Sequence, residues 1–322
     1  MRVAICADMV GLSGIDRVEQ CFPAWPADYR HGVRMLVGDV TAAIEGAIDA
    51  GATEIVLADW HHLGRNIPEP AFPDLPIRRL WETGRPLLAP GGLGRPEVAI
   101  LVGAHAAAGN PRGFLSHTFW PGMAVLLGGR PVPEALLWAL ALGAAGTRVA
   151  AIAGDQPALE EALPLLPGVH GVALKAAKDR TSAMLRPTQD AREELTEAVR
   201  KAVGAPPPPI SAAFPEEASI VYGRSDHAGR AARAGVGERS GERRITTAIG
   251  SVHDLTAFLA RSLLATPLAT APSIEHAVLP VGRRGWRRPW GDATAAATRW
   301  IDRRAARALA EEPADRYPAV PG

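Results

Sequence analysis

Residues whose side chains can bind metal ions stand at the ends of several apolar runs in this chain. Asp8 ends one run, His61 and His105 follow two others, Glu134 opens a predicted helix, and His117 lies between His105 and Glu134. The strand ends of an α/β sheet meet at one edge, so residues far apart in sequence can share one ion there. Catalytic zinc uses imidazole and carboxylate ligands, usually three from the protein, and keeps one position for water. Singly, each residue is more often a cap or loop residue, but together they indicate a metal site.

The elements that position these residues are predicted to be strands and helices in alternation. Continuous apolar runs predict buried strands at residues 2–7, 54–58, 97–102, 148–153 and 169–174. Apolar residues at helical spacing predict helices at residues 36–48, 133–142, 158–166 and 190–203. This alternation predicts an α/β fold with a mostly parallel, doubly wound sheet and helices on both faces.

A run of prolines at residues 206–209 marks the predicted domain boundary. Residues 1–205 are predicted to form a metal-binding catalytic α/β domain. Residues 210–265 are predicted to form a smaller C-terminal α+β part. Residues 266–322 are rich in Arg, Ala and Pro and are predicted to form a tail with one helix.

Shorter features are predicted within these parts. A hairpin is expected at residues 124–132, inside the catalytic domain. In the smaller part, we expect a strand near residues 218–222, a loop rich in Gly and Arg at 223–244, and a helix at 251–264.

Charge and composition favour a soluble, cytoplasmic protein that binds neither nucleic acid nor membrane. The formal net charge of +1 gives no long-range field that would attract a polyanion. Arg and Trp residues at 283–290 could clamp nucleic acid, but the near-neutral charge favours a packing role for them. No apolar run reaches the roughly 18 residues of a membrane span. Two cysteines are too few for a disulfide framework, and the N-terminus is expected to enter a strand and not a signal peptide.

Seven short motifs, in order, connect the candidate residues to one protein family. They are Asp-Met-Val-Gly-Leu-Ser-Gly at 8–14, Asp-Trp-His at 59–61, Gly-Ala-His-Ala at 103–106, Leu-Ser-His-Thr at 115–118, Arg-Pro-Val-Pro-Glu at 130–134, Ala-Gly-Asp at 153–155, and Lys175 with Arg-Thr-Ser-Ala at 180–183. The first five resemble the D-M-E-G-I-S-G, D-S-H, G-x-H-A, M-S-H-S and R-P-V-G-E segments of the D-aminopeptidase DppA family, the M55 zinc metallopeptidases. The last two also match that family in order and spacing, so the resemblance covers about residues 1–265.

The resemblance implies a co-catalytic pair of zinc ions in an α/β subunit that assembles into a large ring. By motif, Asp8 would bridge the two metals, and His61, His105 and Glu134 would be the other ligands. His117 would be the catalytic histidine, a role that suits an imidazole near neutral pH. Ser116 is expected beside it, near the substrate.

One residue departs from the family pattern. Where the family has a zinc-binding glutamate, this chain has Val10, which cannot bind a metal. If the first strand continues, alternation puts residues 8 and 10 on the same side, inside the site. Three outcomes are open: a single-metal site at Asp8, His105 and Glu134, a two-metal site rebuilt with a nearby donor, or a subunit without hydrolytic activity.

Two neighbours of His61 bear on these outcomes. His62 is the candidate donor for a rebuilt site, although adjacent residues in an extended chain point apart and both could bind one ion only at a turn. Asp59 is expected to orient His61, because metal-bound imidazoles usually have a carboxylate or carbonyl partner.

These features predict an M55-like, zinc-dependent hydrolase that cleaves an amide bond in small peptides or amino-acid amides. Selectivity for D-residues is implied only by the family, and a homo-oligomer, in the form of a ring, is the expected assembly. One alternative is a metallo-amidohydrolase of a non-peptide substrate. Another is a catalytically weakened paralogue that binds ligand or a sister subunit, which Val10 favours and the five retained site residues oppose.

Overall fold

The computed structural model describes residues 1–61, 64, 66–68, 71–72, 77–80, 93–120, 122–214 and 216–265. The chain forms two compact units. Of the described residues, the first unit contains those within 1–106, 112–115 and 134–212, and the second contains those within 107–111, 116–133 and 213–265. The predicted catalytic domain was continuous over residues 1–205, whereas the chain leaves the first unit twice before residue 134.

The described residues form strands and helices in the following chain order. The strands are β1 (Arg2–Ala7), β2 (Glu54–Asp59), β3 (Ile77–Leu80), β4 (Val98–Ala104), β5 (Met123–Leu127), β6 (Arg130–Pro131), β7 (Arg148–Asp155), β8 (His170–Ala177), β9 (Ala183–Leu185), β10 (Glu216–Tyr222), β11 (Glu238–Arg239) and β12 (Arg244–Ile249). The α-helices are α1 (Pro26–Asp49), α2 (Glu134–Ala144), α3 (Gln156–Ala162), α4 (Thr188–Gly204), α5 (Ser225–Arg233) and α6 (Val252–Leu264).

A seven-stranded sheet in the order β3-β2-β1-β4-β7-β8-β9 forms the centre of the first unit. Neighbouring strands are parallel throughout, except for β8 with β9. Strands β1, β2 and β4 are apolar runs that are buried along almost their whole length, as is typical of parallel sheets covered by helices. Ala7 at the end of β1 is level with Asp59 of β2 and with Val102 of β4, so these strands end at the same edge.

Helices α1 and α4 pack against each other in the first unit. Helix α1 begins at Pro26, whose fixed φ and missing N–H suit the first turn of a helix. Gly51, with φ +91°, follows its end in the left-handed conformation common after helices. At Gly46 a Cβ would lie 2.3 Å from the Thr196 carbonyl oxygen, so the close approach of the two helices requires glycine.

The second unit is built on a five-stranded antiparallel sheet in the order β11-β12-β10-β5-β6. The hairpin predicted at 124–132 is present as β5 and β6, but β5 pairs with β10 and so belongs to this sheet. The predicted loop at 223–244 is wrong in part, because it contains α5 and β11. Its Gly and Arg content suggested a loop, yet Ala228 and Ala231 are buried on one side of α5 while Arg233 is exposed.

The predicted fold class is confirmed: an α/β protein with a mostly parallel sheet and a smaller part that contains a second sheet. The sequence did not indicate β3, β9 or β12, which are short or lie at or next to the edge of a sheet. The predicted tail at 266–322, including the Arg and Trp residues at 283–290, lies outside the described residues. No helix in the described part of the chain is both long and apolar enough to cross a lipid bilayer.

Candidate metal centre

Four predicted metal ligands lie in the first unit, next to the ends of strands or at the start of a helix. Asp8 directly follows β1, His61 comes two residues after the end of β2, and His105 directly follows β4. Glu134 is the first residue of α2, where the helix dipole favours a carboxylate. Because β1 lies between β2 and β4 in parallel register, the residues after all three strands reach one edge of the sheet.

These four side chains form two close pairs, each of one carboxylate and one imidazole. Asp8 Oδ2 lies 3.4 Å from His61 Nδ1, and Glu134 Oε1 lies 3.6 Å from His105 Nε2. Two ligand atoms that are each about 2.1 Å from a tetrahedral zinc ion lie roughly 3.4 Å from each other. Both pairs therefore have the spacing of atoms that bind one ion together.

Three of the four residues line one cavity. Asp8, His105 and Glu134 contribute to a cavity of about 30 Å³, whose remaining lining is mostly apolar. A cavity needs a volume of at least roughly 10–15 Å³ to hold one water molecule. The cavity is thus large enough for an ion with a water molecule and is framed by charged ligands in apolar surroundings.

In each of the two histidines, the ring nitrogen that points away from the carboxylate partner lies within hydrogen-bond distance of a backbone carbonyl oxygen. His61 Nε2 lies 2.7 Å from the Cys21 oxygen, and His105 Nδ1 lies 3.2 Å from the Ala106 oxygen. A carbonyl oxygen only accepts, so these two nitrogens carry protons. The nitrogens that face the carboxylates, His61 Nδ1 and His105 Nε2, are the ones that would bind an ion, each in the neutral form of its ring. Metal-binding histidines are held in this way, since the second bond fixes both the tautomer and the ring plane.

The charges of the site shift one another's pKa values. Burial raises the pKa of Asp8, but the charges of His61 and His105 and the hydrogen bonds from His61 and the Val10 N–H hold it well below its usual range. Burial lowers the pKa of His61, but the neighbouring Asp8 carboxylate outweighs burial and raises it. The site thus keeps a buried, ionised carboxylate beside imidazoles, which is an electrostatic setting that suits a cation.

Asp59 holds the segment that carries His61. Its Oδ1 accepts from the His61 backbone N–H at 3.2 Å, and its Oδ2 accepts from the backbone N–H groups of Asn66 at 2.5 Å and Ile67 at 3.1 Å. Asp59 was predicted to orient His61. It contacts the backbone of His61, while the imidazole ring bonds to the Cys21 carbonyl.

Comparison with known proteins identifies the family. The model of peptidase family M55, described as D-aminopeptidase, matches residues 1–260. The chain belongs to this family. The D-aminopeptidase of Bacillus subtilis (strain 168) is 28% identical over 200 residues, which make up 61% of this chain and 72% of that protein. A solved structure, the Zn-dependent D-aminopeptidase DppA from Bacillus subtilis, described as a self-compartmentalizing protease, matches with a TM-score of 0.73 and 22% identity over 82% of this chain and 98% of that chain.

The predicted M55 membership is therefore confirmed, and with it the enzyme class, because the family is one of hydrolytic aminopeptidases. The 22% identical structure shows a shared fold. The metal-ligand and catalytic roles of individual residues stay predictions.

Val10 stands where the M55 resemblance leads us to expect a ligand glutamate. Strand β1 ends at Ala7 and residues 10 and 11 form a turn, so the expectation from strand alternation at residues 8 and 10 is wrong. The Val10 N–H donates to Asp8 Oδ1 at 2.7 Å, and the Val10 side chain is buried in the apolar core of the unit. Val10 therefore fixes the Asp8 carboxylate through its backbone and gives the site no side-chain donor. His62, the predicted replacement ligand, lies outside the described residues.

A stacked pair of tryptophans lines the same cavity in this M55 member. The rings of Trp60 and Trp138 have centroids 3.7 Å apart and planes 15° apart, and both contribute to the cavity with Asp8, His105 and Glu134. This pair of rings was not among the predicted site residues. Two signals were available: Trp60 stands where the family motif has serine, and Trp138 follows Glu134 by four residues on α2, which puts both on one helix face.

Ser116 and His117 belong to the second unit. Ser116 is buried, and its hydroxyl donates to the Asn110 carbonyl oxygen at 2.8 Å, whereas His117 is half-buried. Two residues near His117, Leu115 and Phe119, have φ values of +45° and +60°, a strained conformation for residues other than glycine. Strain of this kind concentrates at functional sites. The catalytic role of His117 and the substrate role of Ser116 stay predictions.

Proposed function

We propose that this chain is a zinc-dependent hydrolase that cleaves an amide bond in small peptides or amino-acid amides. One observation carries the metal proposal: each of two buried imidazoles has one nitrogen on a backbone carbonyl and the other 3.4 or 3.6 Å from a carboxylate. The match to the D-aminopeptidase family supports peptide-like substrates, with D-aminoacyl compounds among them. The Zn-dependence of the structural neighbour supports zinc over other divalent ions.

Asp8, His105 and Glu134 are the residues that would hold the ion, because they line one cavity. Three protein ligands with one open position are typical of catalytic zinc. Zinc bound there would polarise the scissile carbonyl and acidify a water molecule. In the part of the chain that the structure describes, Asp8 and His61 offer two of the ligands that a second ion would need, and Val10 adds no side-chain donor. We therefore propose one ion for each chain.

The other groups of the site orient the ligands and exclude water. The carbonyl oxygens of Cys21 and Ala106 hold the two imidazole rings, and the Val10 N–H holds one oxygen of Asp8. The stacked rings of Trp60 and Trp138 make one wall of the cavity apolar, which strengthens electrostatic interactions inside it. In this proposal His117, assigned from its motif, delivers a proton to the nitrogen of the leaving amine.

Metal analysis combined with hydrolysis of L- and D-aminoacyl amides tests the proposal. We expect one zinc ion per wild-type chain and turnover that a chelator abolishes and added zinc restores. His105→Ala is expected to lose zinc binding and turnover, because it removes one of three ligands. Lys201→Met, on the exposed surface of α4, is the matched control and should retain both. Two ions per wild-type chain would contradict the single-metal site.

The same measurements separate the alternatives. A wild-type chain that has neither zinc nor turnover, while Val10→Glu has both, would identify a weakened paralogue. Turnover of amides that are not aminoacyl compounds, and of no aminoacyl amide, would identify an amidohydrolase of another substrate class. We also propose a homo-oligomer, as the self-compartmentalizing neighbour suggests, and light scattering that gives the mass of a single chain would refute it.

A further inference from the structure

Lys175 is a buried cation with no role in the chemistry described above. It lies in β8, and only 2% of it is exposed. Its Nζ donates to the Val10 carbonyl oxygen at 2.5 Å and to the Ile15 carbonyl oxygen at 2.8 Å, and it lies 4.2 Å from the centre of the Phe114 ring. The partners of this charge are therefore two carbonyl dipoles and an aromatic face, both of which favour an ammonium group.

Both carbonyls belong to residues 9–15, the segment that follows Asp8 directly. On its other side this segment contacts the end of β4, where the Gly11 N–H donates to the Gly103 oxygen at 2.9 Å. A Cβ on Gly11 would lie 2.0 Å from the Ala104 carbonyl oxygen, so the two backbones are in close contact immediately before His105. Segment 9–15 thus connects Lys175 to both ends of the proposed metal site.

The two carbonyls require a side chain with several N–H donors at this point. An apolar side chain of similar length would leave both oxygens buried without a donor, which is unfavourable. The segment would then turn towards other donors or water. Asp8 would move with it, because Asp8 Oδ1 accepts from the N–H of Val10, the residue whose carbonyl Lys175 holds.

Asp155 adds an electrostatic link between Lys175 and the site. It is buried at the end of β7, where its carboxylate accepts from the backbone N–H groups of Ala158 at 3.0 Å and Phe114 at 3.1 Å. The charges of both Lys175 and His105 act on this carboxylate. The attraction between this carboxylate and the Lys175 ammonium favours the position that Lys175 occupies.

We propose that Lys175 is a positioning residue of the metal centre: by holding the carbonyl oxygens of Val10 and Ile15, it keeps Asp8 in place in the cavity that His105 also lines. This inference rests on the metal site of the proposed function. It also assigns a role to Val10 that its apolar side chain does not suggest: the residue acts through both of its backbone polar groups.

Zinc affinity, measured by competition with a chromogenic chelator at pH 7, tests this role without reference to turnover. Lys175→Met is expected to weaken zinc binding on the order of 10- to 100-fold, the range found when a group that orients metal ligands is removed. Lys175→Gln keeps an N–H donor without the charge, so its loss is expected to be smaller. The control Lys201→Met changes an exposed lysine on α4 and should bind zinc like the wild type.

Circular dichroism shows whether each variant is folded, and therefore which variant's zinc affinity can be compared with that of the wild type. A folded Lys175→Met variant with wild-type zinc affinity would overturn the proposal. If that variant does not fold, Lys175→Gln takes its place: wild-type affinity there means that the lysine serves folding alone, and a weakened affinity supports the positioning role. A wild-type chain that binds no zinc contradicts the metal centre itself, whereas zinc binding that no Lys175 substitution alters contradicts this inference alone.

Discussion

The buried charge of Lys175 predicts that the stability of the metal-free chain rises with pH above about 8. Burial lowers the pKa of Lys175 from 10.5 to about 8. Below pH 8 the lysine is protonated in both the folded and the unfolded chain. Between pH 8 and 10.5 the unfolded chain binds more protons than the folded chain, so the free energy of unfolding increases with pH. Above pH 10.5 the amine is neutral in both states and the increase ends.

The size of the effect follows from the two pKa values. A difference of one pKa unit corresponds to about 1.36 kcal/mol, so the whole interval contributes about 3.4 kcal/mol to the free energy of unfolding. About 2.4 kcal/mol of this increase is expected between pH 7.5 and pH 10. That is a large share of the roughly 5–15 kcal/mol that stabilises a typical domain.

Urea denaturation of the metal-free protein at pH 7.5, 9 and 10 provides the assay. The quantity of interest is the difference in unfolding free energy between wild type and Lys175→Met, because groups that titrate equally in both chains cancel. The unfolding free energy of the wild type minus that of Lys175→Met should increase by about 2.4 kcal/mol from pH 7.5 to pH 10. Lys201→Met should follow the wild type at every pH. Parallel pH profiles of wild type and Lys175→Met would refute the argument that burial of a charged lysine opposes folding at neutral pH.

Three further predictions concern stability and can be checked by thermal or urea unfolding. Gly103→Ala should lower the free energy of unfolding by more than about 2 kcal/mol, because residue 103 has φ +87° and its Cβ would lie 1.9 Å from the Asp8 carbonyl oxygen. Gly204→Ala is the control, because there is open space around residue 204. Equal stability of the two variants would contradict the steric argument. Asp39→Ala should lower the free energy of unfolding by about 3 kcal/mol, since this buried carboxylate accepts three hydrogen bonds. A loss below about 1 kcal/mol would show that water molecules accept those hydrogen bonds in its place. Ser251→Ala should lower the free energy of unfolding by about 1 kcal/mol, because the Ser251 hydroxyl caps α6 by accepting a hydrogen bond from the Asp254 N–H. An unchanged unfolding midpoint would show that another group caps the helix.

The centre of the first sheet and the positions of the metal ligands could be predicted from the sequence. Strands β1, β2 and β4 are continuous apolar runs, and a polar residue directly after such a run marks the strand end. Parallel register then brings Asp8, His61 and His105 to one edge, whatever their separation in sequence. Periodicity and sheet geometry are sufficient for this step.

Contacts made by backbone atoms could not be predicted in the same way. The Cys21 carbonyl that holds His61 and the Val10 carbonyl that holds Lys175 have no signature in the side-chain sequence. The end of β1 at Ala7 has the same origin, because the turn that follows is fixed by the contact of Gly11 with β4, which joins segments far apart in the chain. The alternation of side chains along β1 therefore does not extend to Val10, because the strand ends at Ala7.

Helix α5 lies inside a segment whose composition predicts a loop. Its residues include Gly229 and two arginines, and the segment around it contains further glycines, which favour a loop. The helix is stabilised by burial of Ala228 and Ala231 in the second unit. That burial depends on the antiparallel sheet, whose strands come from separate parts of the chain.

The pairing of β5 with β10 determines the order in which the chain can fold during synthesis. A ribosome completes β5 and β6 long before it reaches Glu216, the first residue of β10. A two-stranded hairpin alone is marginally stable in water, so one edge of β5 stays unpaired while residues 134–212 of the first unit are synthesised. Products that terminate before Ala218 lack every residue of β10 that pairs with β5, so this edge of β5 stays exposed and open to aggregation and proteolysis.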